Sequence, residues 1–225
     1  MNRDDALRQI AADGKLDAAA LIAYANENHV GGRDTGAWPG MSVFAAEGEM
    51  IYALVRALKP RQVVEIGVAS GGTTTHILTA LEANGSGTLY SVDLDPQAGV
   101  SVPAALRQRW TFVTGDALAA PLPEWADFVF EDGEHGFDFT KRMLLRLKTL
   151  NPQVILSHDA LTHLTYGEAF QVLPAFKEAL GTDRTVLTDG SIAGLAYWFN
   201  ADYQREPVVP VASPARAPRK AGKRG

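Results

Sequence analysis

Short apolar runs alternate along this chain with stretches whose apolar residues recur at helical spacing. The runs Val63 to Ile66, Thr88 to Val92, Thr111 to Val113, Asp127 to Phe130, Val154 to Leu156, Arg184 to Leu187 and Leu195 to Phe199 predict strands. Most are continuous rather than alternating, as strands buried on both faces are. Ile51, Leu54, Val55 and Leu58 recur at i, i+3, i+4 and i+7 just before Pro60 and predict a helix leading into the first strand. Met143, Leu147 and Leu150 repeat that rhythm. Phe170, Leu173 and Leu180 follow it more loosely, and Pro174 is expected to kink or restart their helix. Residues 1 to 30 read as two helices, separated near Asp13 and Gly14, that lie outside the alternating core. The alternation implies an α/β sheet, mostly parallel, with helices on both faces. Only TDGSIAG separates Leu187 from Leu195, too short a link for a parallel crossover, so the last two strands are expected to form an antiparallel hairpin.

The length of 225 residues suits one domain with appendages. Expected boundaries are an N-terminal helical cap over 1–35, the α/β domain over 36–206, and a disordered tail over 207–225. That tail reads PVVPVASPARAPRKAGKRG, with too little apolar bulk to offset the entropy of ordering it, and a solvated terminus is the expectation. It carries five basic residues, so the formal net charge of -5 leaves -10 on residues 1 to 206. An acidic body of this kind disfavours a nucleic-acid-binding face. Hydrophobic residues at 46% supply a full core and exclude disordered and collagenous classes. Zero cysteines remove disulfides, thiolate nucleophiles and thiolate zinc sites, leaving His, Asp and Glu as the strong metal ligands. The polar start and the lack of a long apolar run point to a cytoplasmic protein without a membrane partner.

VVEIGVASGGT, from Val63 to Thr73, is a buried strand running through a turn of small residues into a helix. Gly67, Ala69 and Gly71 carry little or no side chain, so a ligand can lie on the backbone while the N–H groups of the next helix point at it. Asp93 ends the second strand about 20 residues later, where a carboxylate can accept hydrogen bonds from two ribose hydroxyls. Such geometry serves any adenosine cofactor. Gly67, Ala69 and Gly72 also fit a degenerate G-x-G-x-x-G, the dinucleotide pattern. Glu65 would face a pyrophosphate badly, however, and it and the terminal hairpin favour a cationic, phosphate-free ligand.

Taken together, VVEIGVASGGT, YSVDLD and TGDA resemble the motifs of the class I S-adenosylmethionine-dependent methyltransferases over about residues 36 to 200. GMSVFAAEGEMIYALV before the first strand is similar to the cation-dependent catechol and caffeoyl-CoA O-methyltransferases. The resemblance implies a Rossmann-like doubly wound sheet of seven strands and S-adenosylmethionine as cofactor. It also implies that Glu65, Gly67, Ser70 and Gly71 hold the methionine end, Asp93 the ribose and Asp116 the adenine amino group, with Trp38 and Met41 in a lid. Core packing of Trp38 and Met41 is the alternative. Because similar enzymes commonly dimerise, a homodimer is the expectation.

In an open α/β sheet ligands sit outside the carboxyl ends of the strands. There the fourth strand ends in Glu131-Asp132-Gly133-Glu134-His135 and the fifth in Ser157-His158-Asp159. Asp132 and Asp159 supply hard oxygens for magnesium or another divalent cation, and His158 adds nitrogen for a softer one. His135, with an ordinary pKa near 6.5, suits a general base that deprotonates a small-molecule hydroxyl. By resemblance Asp132 is the first metal ligand and His158-Asp159 occupies the later pair. The resemblance is imperfect: His135 stands where the relatives use lysine, and His158 where they use a carboxylate. His158 therefore reads either as a ligand or as a second base in a metal-free enzyme. His76 reads as a packed or exposed helix residue, and His163 and Tyr166 as surface or pocket-lining residues. Two further readings stay open at this point, a non-catalytic cofactor- or partner-binding protein and a nicotinamide-linked enzyme.

Overall fold

A computed structural model describes residues 1–27, 45–167 and 169–205. Trp38, Met41 and the segment 207–225 lie outside the described residues. Seven strands form one sheet: β1 Gln62–Ile66, β2 Thr88–Asp93, β3 Trp110–Thr114, β4 Phe128–Glu131, β5 Val154–Ser157, β6 Thr185–Val186 and β7 Leu195–Phe199. Their order is β3-β2-β1-β4-β5-β7-β6. The first five run parallel, whereas β7 pairs antiparallel with both β5 and β6. Each expected strand is present with ends shifted by a residue or so, and the short 187–195 link makes the expected hairpin.

Helices α1 Arg3–Gly14, α2 Ala18–Glu27, α3 Ala45–Leu58 and α4 Gly72–Asn84 cover one face. Ile51 and Leu54 of α3 meet Leu7 and Ile10 of α1, Leu21 of α2, Ile77 of α4 and Phe130 of β4 in a single core. The first two helices thus lie outside the βα alternation yet share its hydrophobic core. Leu7, Ile10 and Leu21 are fully buried, each contributing roughly 1.5–3 kcal/mol through apolar burial. On the other face, α5 Phe137–Lys148 and α7 Val172–Leu180 pack Met143, Leu147 and Phe176 against Val64, Val129 and Ile155. Pro174 falls in the first turn of α7, where its missing N–H costs no helical hydrogen bond, so it restarts the helix rather than kinking it. A short α6, His163–Tyr166, precedes α7. Among the described residues no helix is long and apolar enough to cross a membrane.

Candidate active site

Strand β1 lies between β2 and β4, and the chain leaves it toward α4 on one face but leaves β4 toward α5 on the other. Such a switch opens a crevice beyond the carboxyl ends of β1 and β4. Two loops meet there. Asp132 N donates to Ile66 O at 2.8 Å, and a Cβ on Gly67 would stand 2.0 Å from the Asp132 carbonyl oxygen. With φ at +81° as well, Gly67 meets both demands that glycine alone satisfies easily, a left-handed backbone and a close approach. Ala69 holds a φ of +47° without that freedom, a strained conformation at an exposed position of the turn.

Asp93 ties this turn to β2. Its Oδ2 accepts from Val68 N at 2.7 Å and Ala69 N at 3.0 Å, and its Oδ1 accepts from Asp95 N at 2.8 Å. Gly115 N donates to the Asp93 carbonyl at 2.8 Å, which brings the TGDA loop alongside; exposed Asp116 accepts from Leu118 N at 2.9 Å. Ser70 is buried, and its hydroxyl has no hydrogen-bond partner among the described residues. Gly67, Ala69, Ser70, Gly71, Asp93 and Asp116 therefore share one edge of the crevice, while Met41 lies outside the described residues.

Glu65 is placed differently. Fully buried, it supports the turn from beneath rather than lining the crevice. Ser91 Oγ of β2 donates to its Oε2 at 2.6 Å, and Thr74 Oγ1 of α4 reaches both oxygens at 2.9 and 3.0 Å. Trp110 Nε1 donates in turn to Ser91 Oγ at 2.9 Å. Burial pushes the Glu65 carboxyl up to about 8, against the opposing pull of the Ser91 and Thr74 hydrogen bonds.

Across the crevice, Asp132, His135, His158 and Asp159 converge. His135 Nε2 lies 2.9 Å from Asp159 Oδ2 and 3.6 Å from Asp132 Oδ1. His158 Nδ1 lies 3.3 Å from Asp132 Oδ1 and 3.4 Å from Asp159 Oδ2, yet makes no hydrogen bond of regular geometry. Asp159 sits at φ +56° and accepts from Thr162 Oγ1, so the turn after β5 is strained but pinned. Burial favours neutral imidazoles, but the two carboxylates outweigh it and raise His135 to about 10 and His158 well above its ordinary value. Burial likewise works to raise Asp159, and His135 and His158 overcome it to hold that carboxyl far below the usual range. The cluster thus holds two imidazolium protons between two carboxylates, positions that a divalent cation can take. One ligand atom each from Asp132, His158 and Asp159 lies within 4.8 Å of the others, a spacing that fits one ion.

Two residues of this site are given no role by the motifs, although Glu47 lies within GMSVFAAEGEMIYALV. Glu47, in the first turn of α3 and 1% exposed, presents Oε2 to His158 Nε2 at 3.0 Å. Ser191 Oγ donates to Glu47 Oε1 at 2.6 Å from the β6–β7 link. A signal for Glu47 exists in the sequence: it stands four residues before Ile51, on the apolar face of α3, where a charge needs a partner. Beside the cluster, the Phe170 ring lies 5.2 Å from that of His135 and 5.9 Å from that of Tyr166, making an aromatic wall. His76 packs against Gly48 of α3, and His163 begins α6.

Residues 64–160 match the family model of a methyltransferase domain. Solved structures of similar fold include the S-adenosylhomocysteine-bound methyltransferase PaMTH1 of Podospora anserina, at 16% identity and a TM-score of 0.55 over 89% of this chain and 97% of that one. The O-methyltransferase TomG of Streptomyces achromogenes, involved in tomaymycin synthesis and in complex with S-adenosylmethionine, aligns at 19% identity and a TM-score of 0.55 over 81% of this chain and 90% of that one. An O-methyltransferase of Bacillus cereus in complex with S-adenosylhomocysteine aligns at 13% identity and a TM-score of 0.54 over 86% and 96%. No curated protein matches the chain in sequence.

Proposed function

We propose that the chain is a class I methyltransferase that transfers the methyl group of S-adenosylmethionine to a hydroxyl of a small molecule, aided by a divalent cation. One observation carries this reading: the turn suited to the cofactor packs directly on the loop that bears the acid and histidine cluster, Gly67 against Asp132. Several of the structural neighbours, all below 25% identity, are O-methyltransferases, which agrees with a hydroxyl acceptor.

In this reading the backbone from Gly67 to Gly71 and the Ser70 hydroxyl receive the methionine end, with Glu65 holding the turn in shape from below. Asp93 accepts the ribose hydroxyls and Asp116 meets the adenine amino group. Asp132, His158 and Asp159 hold the cation, whose chemistry is to orient the acceptor hydroxyl and lower its pKa. The buried His158 Nδ1, facing two carboxylates without a hydrogen bond of regular geometry, is what favours a cation there. His135 takes the hydroxyl proton at Nε2 as the oxygen attacks the methyl carbon. Phe170 and Tyr166 flank the acceptor. The acidic body argues for a small acceptor rather than DNA or RNA.

The test is calorimetric titration with S-adenosylhomocysteine in magnesium, manganese and EDTA, with NAD as control. Binding of S-adenosylhomocysteine and none of NAD is expected, and the reverse would overturn the assignment. Asp93→Ala should weaken that binding at least about tenfold, because it removes the ribose acceptor together with the carboxylate that fixes Val68, Ala69 and Asp95 N–H groups. An unchanged affinity would remove Asp93 from the cofactor site.

A further inference from the structure

We infer that Glu47 is a positioning residue that fixes the tautomer of His158, making Nδ1 a nitrogen ligand and giving the cluster a preference for first-row transition ions over magnesium. This rests on the metal reading above and goes further by naming the class of ion and the residue that sets it.

A carboxylate only accepts hydrogen bonds, so His158 Nε2, 3.0 Å from Glu47 Oε2, carries the hydrogen. The regular hydrogen bond holds the hydrogen on Nε2, so when a cation displaces the second imidazolium proton it is Nδ1 that is left with a lone pair to give. That nitrogen, on a side chain 7% exposed, is aimed between Asp132 Oδ1 and Asp159 Oδ2 and has no regular hydrogen bond. Ser191 keeps the Glu47 carboxylate from turning, and it is itself held by Ala193 N, which donates to its hydroxyl at 3.1 Å. A carboxylate behind a histidine in this way orients the ring and raises its basicity as a ligand. Magnesium prefers oxygen ligands in a near-ideal octahedron, whereas imidazole nitrogen suits first-row transition ions. Placing a buried imidazole where an oxygen would serve magnesium therefore tilts the selection.

The experiment titrates metal-stripped full-length protein with Co2+ and with Mg2+ by calorimetry, for the wild type, His158→Asn, Glu47→Gln and Ser191→Ala. The wild type should bind Co2+ more tightly than Mg2+. His158→Asn, which offers oxygen in place of nitrogen, should lower that ratio at least about tenfold. Glu47→Gln should weaken Co2+ binding by about 10- to 100-fold, and Ser191→Ala, milder and safer for folding, should weaken it by a smaller factor. A ratio unchanged in His158→Asn, or wild-type Co2+ affinity in both Glu47→Gln and Ser191→Ala, overturns the inference, as does a wild type that binds no Co2+. Titration of the same samples with S-adenosylhomocysteine separates these failures from failure of the methyltransferase reading, since cofactor binding reports the turn after β1 and not the cluster.

Discussion

Replacing His135 by alanine is expected to lower kcat by about 10²- to 10⁴-fold at saturating cofactor and acceptor, the range a positioned general base supplies. S-adenosylhomocysteine affinity should stay near that of the wild type, because His135 faces Asp159 and Phe170 rather than the turn after β1. Full activity in this variant would assign the proton to another group. The sign of the pH dependence follows from the surroundings. Although burial favours the neutral ring, Asp132 and Asp159 raise His135 to about 10, so without a cation in the cluster the ring is already protonated at neutral pH. A protonated ring accepts nothing, and turnover in EDTA should climb as pH rises toward that value. The climb should be absent from His135→Ala under the same conditions, and a wild-type profile of the same shape as the variant's would show that His135 is not the base.

The second large effect concerns stability. Burial raises the Glu65 carboxyl from an ordinary 4.5 to about 8 in the folded protein, so the native state holds a proton that the unfolded chain has lost by pH 6. A group whose folded pKa is raised contributes its stability below the unfolded value, and that contribution disappears as pH climbs through the folded one. Wild-type protein should therefore lose stability between about pH 4.5 and 8 relative to Glu65→Gln, which keeps the amide shape but does not titrate. The difference in unfolding free energy between the two is expected to move in favour of the variant by roughly 4 kcal/mol across that window, at about 1.36 kcal/mol per unit of pKa. Urea unfolding of both proteins at a series of pH values measures it. A constant difference would show that Glu65 stays ionised, held so by Ser91 and Thr74.

Most of the sheet was legible because its evidence is local. Val154 to Leu156 and Phe128 to Phe130 are apolar on consecutive positions, the pattern of a strand buried on both faces. Gly67, Asp93, Asp132 and Asp159 were legible for a related reason: each ends or follows a strand, and parallel strands deliver their ends to one edge. The helices before residue 28 were harder to place. Their apolar residues indicate a buried face but not what covers it, and only the fold brings Leu7 and Leu21 against α3.

By itself, then, the sequence determined which segments are strands, that the last two turn back in a hairpin, and that Asp93, Asp132, His135, His158 and Asp159 stand at or just beyond strand ends, since periodicity and link length are properties of neighbouring residues. Tertiary structure alone decided what those side chains face. Glu65 reads as a carboxylate beside the cofactor, and it became a sealed support because β1 places it between Ser91 and Thr74. Glu47 and His158 stand 111 positions apart, and they meet only because α3 packs over the carboxyl end of β5. A hydrogen bond across that separation leaves no periodic trace in either segment. It exists because a buried charge is costly without a partner, and the fold has to bring that partner from elsewhere in the chain.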